Sequence, residues 1–149
     1  MKKLLTTLIL MSMTVGSIYA HLDFQSDKIK EEALKYEKEG WKTKPGGLTI
    51  EDQLTLINKL EHDKDNKGNQ KWQMGSAKSV GRVYESARMQ ALTLAKADVP
   101  NTVAKVINKG VKERKLVNAR VIFDVYRKLP NGNYQVFIRV AVPVTKKIR

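Results

Sequence analysis

Apolar residues recur at two different periods along this chain, and the change of period divides it. In the first part they fall three and four apart. Ile29, Ala33 and Tyr36 share one helical face, Ser26 or Asp27 can cap the start, and Gly40 suits a left-handed stop, so a helix is expected over Asp27 to Glu39. Its apolar stripe is narrow, which places it at the surface. Trp41 follows, then Lys44-Pro45-Gly46-Gly47, which reads as a turn. Thr49 caps a second helix with Asp52 in the capping-box position, and Ile50, Leu54, Ile57 and Leu60 carry the pattern to about His62.

A polar loop spans Asp63 to Asn69, and the alternation over Lys71 to Ala77 suggests a strand interrupted by Gly75 and Gly81. The strongest helical pattern runs from Arg82 to Asp98. Val83, Tyr84, Ala87, Ala91, Leu94 and Ala95 form its stripe, and the alanines let a sheet approach closely. Met89 and Leu92 lie on its other side, either covered by another segment or exposed as a partner surface. Pro100 breaks the pattern, and a third helix is expected from Val103 to about Arg114.

The period then falls to two. Ala119 to Leu129 and Tyr134 to Val142 are rich in β-branched and aromatic residues, and Pro130-Asn131-Gly132-Asn133 between them holds the Asn-Gly pair of tight hairpins. A hairpin, one further strand and several helices imply an α+β domain, with the helices packed on one face of a small antiparallel sheet.

Residues 1–20 stand apart from this pattern. Lys2 and Lys3 precede an apolar run from Leu4 to Val15, and Gly16, Ser17 and Ala20 follow, which is the layout of a secretory signal peptide cleaved after Ala20. The run is too short for a membrane span, which takes about 20 apolar residues, and no cysteine follows for lipid attachment. The expected organisation is a signal peptide over 1–20 and one α+β domain over 21–149. The product is exported, to the periplasm or the outer membrane, and is not transmembrane after cleavage.

Composition narrows the chemistry. The chain has no cysteine, which excludes disulfide scaffolds, thiolate metal sites and a cysteine nucleophile. Its formal charge of +13 is the one extreme value. Residues 21–62 hold seven basic and nine acidic side chains, whereas residues 63–149 hold nineteen and six, so the positive charge belongs to the C-terminal part. On the expected helix from Val103, Lys105, Lys109 and Lys112 repeat opposite Val103, Val106, Ile107 and Val111, and Arg114 and Lys115 extend the charge. A basic amphipathic helix of this kind can lie on a polyanion. An ordinary solvated face has the same appearance. Nucleic acid is disfavoured as the partner because the product is exported and no aromatic stacking platform accompanies the lysines. An envelope protein or an anionic envelope surface, such as lipid headgroups, lipopolysaccharide or acidic glycan, fits better.

Catalytic and metal motifs fail one by one. Asp63-Lys64-Asp65-Asn66-Lys67-Gly68 imitates a calcium loop, but Lys67 and Met74 stand where oxygen ligands are required. Gly75 to Arg82 departs from the phosphate-binding G-x-x-x-x-G-K-[ST] spacing. Ser76 and Lys78 are a conceivable nucleophile and base, though nothing in their spacing fixes a geometry. Cleavage after Ala20 would give His21 both an α-amine and an imidazole, and His62 would complete a three-nitrogen copper site. Such sites belong to β-sandwich enzymes, unlike this helix-rich pattern.

Two stretches carry a resemblance. Glu39-Gly40-Trp41-Lys42, Pro45-Gly46, Glu51-Asp52-Gln53-Leu54, Met74-Gly75, Tyr84, Ala87, Met89-Gln90-Ala91 and Leu94-Ala95 resemble secreted proteins of unknown function from gut Bacteroidales. The alanine-rich helix followed by Val125-Tyr126, Asn131-Gly132 and Val136 to Val140 is more loosely similar to the domain shared by Helicobacter-type small membrane-associated lipoproteins and the amino-terminal region of flagellar assembly protein T. The resemblance covers about residues 31–142 and implies a small α+β cell-envelope domain without known catalysis; no cofactor is expected. The expectation is therefore a non-enzymatic binding or accessory protein. A small metal-dependent secreted enzyme and a self-assembling structural subunit are the alternatives.

Overall fold

A computed structural model describes residues 25–100 and 119–144. The expected signal segment with His21, the expected helix from Val103 and the tail from residue 145 lie outside the described residues.

The elements run α1 (25–38), α2 (Ile50–Glu61), β1 (Trp72–Gly81), α3 (Tyr84–Asp98), β2 (Arg120–Lys128) and β3 (Tyr134–Pro143). The three strands form one antiparallel sheet in the order β1-β3-β2. The class is α+β, and β2 and β3 form the C-terminal hairpin, closed by Gly132 at φ +85°.

Local chemistry explains the boundaries. Helix α1 ends in a Schellman motif: the Trp41 N–H donates to Tyr36 O, the Gly40 N–H donates to Glu37 O, and Gly40 takes φ +86°. Helix α2 begins at a reciprocal capping box between Thr49 and Asp52. Helix α3 stops before Pro100, as the restricted residue ahead of a proline requires.

Helices cover both faces of the sheet, where the sequence pattern suggests one. The reason lies in β3, which is apolar at one set of alternate positions and carries buried Phe137 and Ala141 on the other, so it is covered on two sides. Val136, Ile138, Val140 and Val142 pack with Ala87, Ala91, Ala95 and Val99. Phe137 and Ala141 point the other way, into a cluster with Ala33, Trp41, Ile50, Leu54, Ile57, Phe123 and Val125. Each large apolar side chain buried here contributes about 2 kcal/mol. Ile122 is the extra residue of a β-bulge between Val121 and Phe123, so two successive side chains enter the second cluster.

The glycines of β1 serve α3. A Cβ on Gly75 would strike Ala95 O and lie 2.8 Å from both Val99 N and Val99 Cγ2, while one on Gly81 would lie 3.2 Å from Ala87 Cβ. With Ala87, Ala91 and Ala95 opposite, small residues on both sides let the helix backbone lie against the strand.

Candidate functional site

The sequence-derived residues occupy different places. Met89 lies on the outer side of α3 and is 60% exposed. Leu92 is partly buried and packs against the valine cluster, as does Val121. Leu94, assigned to the buried stripe by its spacing, is 45% exposed. Lys105, Lys109, Lys112, Arg114 and Lys115 lie outside the described residues. His62 caps the C-terminus of α2, with its Nδ1 2.8 Å from Asn58 O. Among the described residues no group of three His, Cys, Asp or Glu side chains is placed to hold a metal ion.

The loop after α2 is tied by its own carboxylates. Asp65 Oδ1 accepts the N–H groups of Lys67 and Asn69, and Asp63 accepts from Lys71 Nζ at 2.8 Å and Trp72 Nε1 at 3.0 Å. Those two hydrogen bonds hold the Asp63 carboxyl below its ordinary range. Ser76 and Lys78 are in β1. The Ser76 N–H donates to Asp98 Oδ2 at 2.9 Å, and the Lys78 ammonium rests over the rings of Phe137 and Trp41, 4.8 and 5.6 Å from their centroids. The lysine therefore serves the aromatic cluster.

The outer edge of the hairpin is partly closed. Lys42 and Tyr126 exchange both backbone hydrogen bonds at 2.8 and 2.9 Å, and the Asp124 N–H donates to Gln53 Oε1 at 2.7 Å. Beside this edge, Arg88 Nε and Nη2 both donate to Asp124 Oδ2, at 2.9 and 2.7 Å. Asp124 Oδ1 and the Tyr84 hydroxyl are buried without hydrogen-bond partners. Burial, with the Asp124 charge adding to it, pushes the Tyr84 phenol up to about 12. The phenol stays neutral at ordinary pH, and the ion pair clamps α3 to β2.

One placement bears on the charge. Strand pairing sets Trp72 opposite Pro143 and Arg120 opposite Ala141, and Asp98 and Val99 reach β1 at Ser76 and Gly75. The chain therefore leaves the described fold at Pro100, re-enters at Ala119 and leaves again at Val144, all at one end of the sheet. The two segments joined there, 101–118 and 145–149, carry eight basic side chains and a single acid, Glu113. Exposed Lys64, Lys67 and Arg120 belong to the same end.

Family models, curated proteins and solved structures provide no match to the chain. The geometry must carry the reading alone. It offers exposed Lys64, Lys67 and Arg120 at the end of the sheet where the two basic segments join the fold and, on the face covered by α1 and α2, a cleft floored by Arg139. The sequence signal for the basic segments was the charge imbalance. Nothing in the spacing singled out Arg139, whose role depends on the sheet bringing it between two helices. No helix among the described residues is long and apolar enough to cross a membrane.

Proposed function

We propose that the protein is an exported, non-enzymatic binding or accessory component of the cell envelope that engages an anionic envelope surface through its basic pole. The carrying observation is that the chain leaves at Pro100, re-enters at Ala119 and leaves again at Val144 at one end of the sheet, so both basic segments join the fold there. Charges grouped on one pole act together on a polyanion, and their attraction weakens as salt screens it. The n, h and c layout of residues 1–20 and the resemblance to secreted Bacteroidales proteins support export. The failure of the catalytic motifs supports a binding role.

The test is co-sedimentation of the purified protein with vesicles containing anionic lipid, against vesicles of zwitterionic lipid alone, at low and at physiological salt. Binding is expected to the anionic vesicles only, to fall with salt, and to be lost when Lys105, Lys109, Lys112, Arg114 and Lys115 are all replaced by glutamine. Undiminished binding in that variant overturns the electrostatic reading. Mass spectrometry of the protein recovered from its native cells tests export: the expected mature start is His21, and an intact Met1 start is incompatible with cleavage.

A further inference from the structure

Arg139 stands in the middle of β3, opposite Ser76 of β1 and Phe123 of β2, on the face covered by α1 and α2. A guanidinium in the centre of a sheet face is unusual, because a desolvated cation normally has a carboxylate beside it. Arg139 has none within ion-pair distance among the described residues. Its Nε is buried and makes no hydrogen bond. What holds the group is stacking: its Cζ lies 5.3 Å from the Phe137 ring centroid and 5.8 Å from that of Phe123. Its charge is also felt at Tyr36, where it offsets part of the upward push that burial gives the phenol.

Above Arg139 is a cleft of about 330 Å³ between the two helices. Its walls are helical stripes. Gln25, Lys28, Ile29 and Glu32 come from α1, and Leu54, Ile57, Asn58 and Glu61 come from α2. A hydrogen bond of 3.1 Å from Asn58 Nδ2 to Gln25 Oε1 joins the helices. The cleft thus combines a cationic floor, apolar walls, two carboxylates and a second cation, Lys28, at its side, the mixture of a small-molecule site with a few placed polar groups.

We propose that this cleft binds a small zwitterion, an α-amino acid or the end of a short peptide, with Arg139 anchoring its carboxylate. The planar guanidinium offers N–H donors in a fork that matches a carboxylate. Glu32 and Glu61 balance the charges of Arg139 and Lys28, so the cleft is near neutral and offers carboxylates to an ammonium group. The Ile29, Leu54 and Ile57 wall suits an apolar substituent. None of the basic side chains assigned to the pole lines this cleft.

L-leucine, the dipeptide leucyl-leucine, acetate and inorganic phosphate serve as probes, titrated into the purified protein and followed by NMR at the arginine Nε–H and backbone amide signals. Leucine or its dipeptide is expected to give saturable shifts on α1, α2 and Arg139, with a Kd of roughly millimolar order. Acetate is expected to bind at least about tenfold more weakly. Arg139→Met abolishes the response, and Glu61→Gln weakens leucine binding while strengthening that of acetate. Should Arg139→Met fail to fold, Arg139→Lys keeps the charge, loses the fork and is expected to weaken binding severalfold. No saturable response to leucine or its dipeptide overturns the proposal. So does a response retained in a folded Arg139→Met or undiminished in Arg139→Lys, or phosphate binding as tightly as leucine. Vesicle binding through the basic pole is unaffected by either Arg139 variant, so the two readings fail separately.

Discussion

Gly75→Ala adds one methyl group at the closest approach between β1 and α3. The new carbon would strike the Ala95 carbonyl oxygen and stand 2.8 Å from the Val99 nitrogen and its Cγ2 methyl. The first two obstacles are main chain, so no rotamer change relieves them, and the last turn of α3 must lift. Lifting it uncovers the Ala95 methyl and the two Val99 methyls, all buried in the wild type, at about 0.8 kcal/mol each. The stiffer unfolded chain returns about 0.5 kcal/mol. The net loss is about 2 kcal/mol, within the range for overpacked cores. For a domain of this size that lowers the melting temperature by about 6–10 °C. Urea denaturation followed by circular dichroism, with a thermal melt beside it, measures both. Ala95→Gly does not rescue the variant, because the obstacle is the carbonyl and not the side chain. Gly81→Ala, facing a side-chain methyl at 3.2 Å, loses less than about 1 kcal/mol. A Gly75→Ala protein within about 0.5 kcal/mol of wild type, or a full rescue by Ala95→Gly, refutes the close-approach argument.

Three further outcomes follow from the same geometry. Arg88→Ala leaves Asp124 partly buried with its cation gone and is expected to lose about 2 kcal/mol; the double variant with Asp124→Ala recovers part of this in a double-mutant cycle, and strict additivity would show that the pair does not couple. Tyr84, with its phenol raised to about 12 from 10.0, stabilises the fold fully below the unfolded value, and that contribution is lost as pH rises between the two; ultraviolet titration of wild type against Tyr84→Phe is expected to show one late-ionising phenol missing in the variant. Asp63 has a depressed carboxyl, so its contribution is present above the ordinary carboxylate value and is lost as pH falls through the folded one. Carbon-detected NMR of the Asp63 carboxyl checks the direction, and Lys71→Met is expected to move its titration back upward.

Local signals were legible in the sequence where the physics was local. The Asn131-Gly132 turn, the Thr49–Asp52 capping box and the Gly40 stop depend on neighbours within a few residues, and each occurs where expected. Strand β1 was harder to read because Gly75 and Gly81 look like interruptions until α3 is seen against them. Leu94 falls at the right spacing for the stripe, yet α3 overlies only β1 and β3 closely and leaves that flank in solvent. The two-sided burial of β3 was visible as an almost unbroken apolar run, but Phe137 and Ala141 gain meaning only once α1 and α2 supply the second layer. Trp41 read as a residue between elements and is 2% exposed, beneath Arg127 and beside Lys78. The Arg139 cleft joins residues from 25 to 139 and has no local sequence signature.

The place of β3 also governs the order in which the protein can acquire its structure. It is the last described strand in the chain and the middle one in the sheet, and both clusters draw on its side chains. Until it is available, β1 and β2 have no strand between them, and the three helices can bury little of their apolar surface. Closure of the sheet therefore waits on contacts between residues as far apart as Trp72 and Pro143, whose loop-closure entropy must be overcome before the pairing is rewarded. A nascent chain lacking the hairpin's second arm has no partner for β1 or β2, so cooperative closure of the sheet begins only when that arm arrives.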